Sequence, residues 1–169
     1  MKKRDRYFPA VPAVPMATYR AHQGEIALHL SHFLLDYLRG IYEQFEGDLA
    51  MAIVLGEIAH HNMGELYADE CVNLETVSKF EKNEAFREGL PACNAYSLAA
   101  ATGLPRETVR RKIKRLEELG WVARGPRREL HITPRLVEHF QPDINPRLVV
   151  NLLRTADRIR GVLTPGGDR

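Results

Sequence analysis

The chain is poor in cysteine, in tryptophan and in long apolar runs, and each shortage removes a class of protein. Cys71 and Cys93 stand far apart without a CxxC spacing, which excludes a disulfide framework and a zinc site built on paired thiolates. Such usage fits a reducing cytoplasm. The longest apolar stretch is broken by charges and histidines well short of the roughly 18 residues that span a bilayer, so a soluble protein with no membrane partner is expected. The opening "MKKRDRYFPAVPAVPMA" has a basic front but carries three prolines where a secretion signal needs an apolar helical run, and it is read as no signal. A nucleophile elbow, a P-loop, an HExxH motif and a dinucleotide fingerprint are all missing. Neither an enzyme nor a cofactor is expected from scattered acids alone.

What is present is a chain of 169 residues, enough for one domain or a small module with a helical extension. Its hydrophobic and charged fractions, 44% and 27%, imply a folded core with disorder confined to the ends. The net charge of +2 conceals a segregation. Residues 1–24 carry +4 and residues 25–92 carry −9, whereas 94–135 carry +6 and 136–169 carry +1. An acidic body thus holds a basic module, a division that favours a polyanionic partner for the module.

From Glu25 to Phe45, apolar residues at Ile26, Leu30, Phe33, Leu34, Tyr37, Leu38, Ile41 and Phe45 follow the period of a helix with a wide buried face. Gly47-Asp48 interrupts it. Asp48 is placed to cap a second helix, whose stripe runs through Met51, Val54, Leu55 and Ile58 to Leu66. A short amphipathic helix around Val77, Phe80 and Phe86 is expected beyond it. After Asn94, "YSLAAATG" reads as a short helix capped by Ser97 and stopped by Gly103. In "LPRETVRRKIKRLEELG", Pro105 fits the first turn, Val109, Ile113 and Leu116 form the stripe, and Gly120 supplies the stop. "WVARGPRRELHIT" offers two short strands around Gly125-Pro126, with Gly125 letting the tip turn closely. Thr133-Pro134 opens another helix, and Asn145-Pro146 caps a last one faced by Leu148, Leu152, Ala156, Ile159 and Leu163.

Helix, glycine turn, second helix and hairpin, in this order, make a helix-turn-helix with a wing, and such folds lay the second helix in the major groove. At about 100° per residue, Glu107, Arg110, Arg111 and Lys114 lie well away from the apolar stripe, with Arg106 on its flank. The run "SLAAATGLPRETVRRKIKRLEELGWV", and with it residues 94–135, resembles the winged helix-turn-helix of bacterial transcriptional regulators. The long helices before and after it resemble the MarR-type layout, in which terminal helices build a homodimer. The resemblance implies a mainly α fold: a three-helical core with a β-hairpin wing, plus additional N- and C-terminal helices. The chain is accordingly divided into a basic, Pro-rich arm at 1–24, a helical dimerisation region at 25–92, a DNA-binding module at 93–142, and a C-terminal helix with a frayed tail at 143–169. By the same resemblance Arg106, Glu107 and Arg110 are expected at base edges, where an arginine fork suits guanine O6 and N7 and a glutamate accepts from cytosine N4. Thr108, Arg111 and Lys114 are expected at phosphates, and Arg124, Arg127 and Arg128 at the flanking backbone or minor groove.

Other readings compete for the same residues. The run "RRKIKR", with Glu117 and Glu118 near it, also reads as a solvated helix face laced by i, i+4 ion pairs, although this explains neither the glycines nor the hairpin. Some winged helices serve instead as protein-interaction or assembly modules without sequence-specific DNA binding, a reading that the +6 local charge argues against. His29, His32 and Asp36 share one helix face and His60-His61 lie on the next helix, so a metal site can be drawn. Surface or interfacial histidines are the commoner use, and no metal is expected. Trp121 is read as a core residue and both cysteines as buried. Lys2, Lys3, Arg4 and Arg6 belong either to an extended arm that touches DNA or a partner subunit, or to plain disorder. The reading adopted is a cytoplasmic regulator that binds duplex DNA sequence-specifically, dimeric through helices at 25–45, 48–67 and 146–163, with no effector identified.

Overall fold

The computed structural model describes residues 14–64, 93–140 and 144–164. In chain order the elements are α1 (Met16–Ala21), α2 (Gln23–Gln44), α3 (Leu49–Asn62), α4 (Ala95–Thr102), α5 (Arg106–Glu118), β1 (Val122–Arg124), β2 (Leu130–Ile132), α6 (Pro134–Phe140) and α7 (Ile144–Leu163). The fold is mainly helical with a two-stranded antiparallel sheet. None of the described helices is long and apolar enough to cross a membrane. Two compact units form: one from residues 48–64 and 93–139, the other from 14–47, 140 and 144–164.

In the first unit α3, α4 and α5 pack on one another, and α3 packs on β2 as well. Asp48 caps α3, its Oδ1 accepting from the Met51 N–H at 3.0 Å, while its other oxygen pairs with Lys112 of α5. Met51, Val54, Leu55 and Ile58 are buried along with Leu98 of α4 and Val109, Ile113 and Leu116 of α5. The helical periods of the sequence therefore close one core.

Two cap assignments change. The N-cap of α4 is Asn94, whose side chain accepts from the N–H groups of Tyr96 and Ser97, both at 3.0 Å. Ser97 is its reciprocal partner, its Oγ accepting from the Asn94 N–H at 3.3 Å, because a residue three positions into a helix can only reach back to the cap. Pro105 stands one residue ahead of α5, extended at ψ 137, since its fixed φ serves an extended residue as well as a helical one. Between these helices Gly103 takes the left-handed conformation at φ +70. Gly120, at φ +72, ends α5 in a Schellman motif: Trp121 N–H donates to Leu116 O and Gly120 N–H to Glu117 O, both at 3.0 Å. Trp121 is buried with Leu116, and the His139 ring lies 4.8 Å from its ring.

The hairpin pairs Val122 with Ile132, Ala123 with His131 and Arg124 with Leu130. Its loop closes through Gly125 N–H on Glu129 O at 2.9 Å and Arg128 N–H on Gly125 O at 3.0 Å. The left-handed residue of this turn is Arg128, at φ +63, and not Gly125. Gly125 contributes space instead, because the Glu129 carboxylate occupies the place where its Cβ would stand. The outer edge of β2 is covered. Leu130 N–H donates to Cys93 O at 2.9 Å, Asn62 Nδ2 donates to Leu130 O at 3.1 Å, and Ile132 N–H donates to Asn62 Oδ1 at 2.8 Å. The buried Asn62 amide thus stands in for a strand residue and ties α3 to the hairpin.

In the second unit α2 packs on α7, and α1 touches both. Helix α1 falls inside the stretch read as a basic, Pro-rich arm, either extended or disordered; Pro15 precedes it, and "MATYRA" lacks a helix breaker. Helix α7 begins at Ile144, so Asn145 and Pro146 lie in its first turn and not ahead of it, where a proline costs no hydrogen bond. The chain passes from one unit to the other after Gly47 and again after His139, and the buried stripe of α3 packs on α4, α5 and β2. Lys2, Lys3, Arg4, Arg6, Leu66, Cys71, and the helix expected around Val77, Phe80 and Phe86, lie outside the described residues. This unit leaves much apolar surface open: Leu28, Leu35 and Tyr42, each seven residues from the next, are 68%, 52% and 57% exposed. Leu30, Leu34 and Leu38 of α2 and Val149, Val150, Leu152 and Leu153 of α7 are exposed too.

Candidate nucleic-acid interface

Complete burial of Val109, Ile113 and Leu116 fixes the roll of α5 about its axis. The opposite side presents Arg106, Glu107, Arg110, Arg111 and Lys114, all exposed, with Thr108 half-buried beside them. What such a face can bind depends on which cations already have a counter-charge. Glu107 approaches Arg110 only to 4.0 Å, Arg115 pairs with Glu118 at 3.2 Å, and Lys112 is turned inward to Asp48. Among the described residues, no carboxylate lies within 4.0 Å of Arg106, Arg111 or Lys114. Arg106 instead rests on an aromatic ring, its guanidinium carbon 4.6 Å from the centroid of Tyr96.

The hairpin contributes two kinds of arginine. Arg124 is gripped by Glu117 of α5, Nε to Oε1 at 2.5 Å and Nη2 to Oε2 at 3.3 Å, so its fork braces the base of the hairpin against the end of α5. Arg127 and Arg128 sit exposed at the tip, and among the described residues no carboxylate lies within 4.0 Å of either. Among the described residues, ion pairing therefore accounts for Arg115 and Arg124 but supplies no partner to Arg106, Arg111, Lys114, Arg127 or Arg128. The pairs that do form are i, i+3 or between elements, not i, i+4. At 13 residues α5 is roughly 20 Å long and narrow enough for a groove roughly 12 Å wide.

No family model matches this chain, and no curated protein or solved structure matches it either. Tyr96 is the residue at this surface that the sequence reading passed over. Its signal was the box of Asn94 and Ser97, which sets the intervening Tyr96 on the first turn of α4, 65% exposed.

The remaining candidates have ordinary environments. His29 lies 3.9 Å from Glu25 and His32 lies 3.6 Å from Asp36, each one helical turn away. Among the described residues, no three His, Cys, Asp or Glu side chains gather as a metal site. Burial pushes the Cys93 thiol up to about 11, far from a reactive thiolate. A groove of about 300 Å³ between α2 and α7 is lined by Phe33, Asp36, Tyr37, Arg147, Leu148 and Asn151, and its Asp36 is occupied by His32 and Arg39.

Proposed function

We propose that the protein binds duplex DNA sequence-specifically and regulates transcription in the cytoplasm as a homodimer. The observation that carries this reading is the exposed side of α5, where no described carboxylate lies within 4.0 Å of Arg106, Arg111 or Lys114, set beside the exposed arginines of the hairpin tip. In this reading α3, α4 and α5 are the three-helical core of a winged helix-turn-helix, α5 is the recognition helix, and β1 with β2 is the wing. Arg106 and Arg110 meet base edges with Glu107, while Thr108, Arg111 and Lys114 meet phosphates. Arg127 and Arg128 reach the flanking backbone, and Arg124 holds the wing in place through Glu117.

Dimerisation is supported by the width of the apolar face on α2. One side, with Ile26 and Phe33, is enclosed or half-buried, and a second side, with Leu28, Leu35 and Tyr42, is exposed. A helix apolar over so wide an arc is matched by burial on two sides, and a second copy of the chain supplies the other. Two-fold symmetry then implies half-sites roughly 10 base pairs apart. The same apolar surface favours a second reading, a winged-helix protein-interaction or assembly module without sequence-specific DNA binding.

Competition binding against single-base variants of a selected duplex, repeated across salt concentrations, separates the two. Arg106→Ala should lower affinity for the preferred site by about 1 to 3 kcal/mol and flatten preference at one or two base pairs. Arg127→Ala combined with Arg128→Ala should weaken all duplexes alike and make the slope of log affinity against log salt shallower by about 0.9 per lost phosphate contact. Absence of salt-dependent duplex binding would leave only the protein-interaction module.

A further inference from the structure

Arg106 is the first residue of α5, where the positive end of the helix dipole disfavours a cation, and among the described residues no carboxylate lies within 4.0 Å of it. An arginine in that setting has many rotamers open to it, and a bidentate contact with a base requires one orientation of its plane. The Tyr96 ring narrows the choice. It lies 4.6 Å from the guanidinium carbon, on a different helix, and its backbone is held locally. Tyr96 N–H is held by Asn94 Oδ1 at 3.0 Å. The turn between the helices is held as well: Thr102 Oγ1 donates to Leu98 O at 2.8 Å and accepts from Leu104 N–H at 3.2 Å. Tyr96 contributes little to the core, being 65% exposed. A large aromatic left in solvent at this point has the Arg106 guanidinium as its visible partner.

We infer that Tyr96 is a positioning residue for sequence discrimination: its ring holds the Arg106 guanidinium in the plane needed to fork onto a guanine edge. The inference rests on the reading that α5 enters the major groove. Stacking on an exposed ring biases the arginine by a few-fold at most, so the effect falls on specificity and leaves folding intact.

The test uses the full chain and a pool of duplexes with a randomised centre, from which wild type selects its preferred site. Tyr96→Phe, which keeps the ring, should retain the base preference. Tyr96→Leu should flatten preference by about three- to five-fold at the same base pairs that Arg106→Ala affects. The double variant should discriminate no worse than Arg106→Ala alone, because the ring acts through the arginine. Thermal unfolding of the Leu and Phe variants should coincide, which a merely structural ring would not allow. Unchanged preference in Tyr96→Leu, or losses that multiply in the double variant, would overturn the role of Tyr96 while leaving DNA binding standing. Failure of wild type to enrich any duplex would overturn both.

Discussion

Arg128 occupies the left-handed position of the hairpin turn at φ +63, where glycine is the usual occupant. The clash of its Cβ with the backbone costs roughly 1 to 2 kcal/mol, whereas glycine there loses roughly 0.5 to 1 kcal/mol more chain entropy on folding. Arg128→Gly should therefore stabilise the protein by about 0.5 to 1 kcal/mol, since Arg128 is exposed and makes no ion pair among the described residues. In a unit of this size that is a rise in Tm of roughly 2 to 8 °C, readable by circular dichroism. If the arginine stands at the tip to touch phosphate, the same change should weaken duplex binding and reduce the salt slope by about 0.9. Fluorescence anisotropy with a labelled duplex across salt concentrations measures both. Opposite signs for stability and binding are expected where a strained residue is retained for contact. A stabilised variant with an unaltered salt slope would refute the wing assignment, and a destabilised one would refute the strain.

Asn62→Ala removes two buried hydrogen bonds from the edge of β2 and should cost about 2 to 4 kcal/mol in urea unfolding. The Cys93 thiol sits at about 11 in the fold against an ordinary 9.0, so the unfolded thiol ionises first. Its contribution is complete below pH 9 and is lost as pH rises toward 11, by about 2 to 3 kcal/mol; wild type and Cys93→Ala compared by denaturation across that window should show it. Leu35→Glu with Tyr42→Glu should convert a dimer of the 19.2 kDa chain to monomer in light scattering, and a monomeric wild type would defeat the dimer.

Sequence by itself determined the features that neighbours within a turn or two encode. The stripe of Val109, Ile113 and Leu116, the stops at Gly103 and Gly120 and the hairpin around Gly125-Pro126 all stand where spacing and turn chemistry put them. The cationic face of α5 was legible for the same reason, since burial of one stripe dictates what the other side shows. Even at short range, two candidate groups in competition hid one answer: Asn94 took the cap from Ser97, and nothing in the spacing marked Arg128 as the left-handed residue of the hairpin turn. Tertiary structure alone decided the rest. Asn62 reaches Leu130 and Ile132 across 68 and 70 positions, Lys112 turns to Asp48, Glu117 takes Arg124 out of the free cations, and Tyr96 meets Arg106 across a turn. Periodicity states which side of a helix is apolar, but the rotation and depth at which helices settle determine which polar groups meet, and that follows from packing the whole core at once.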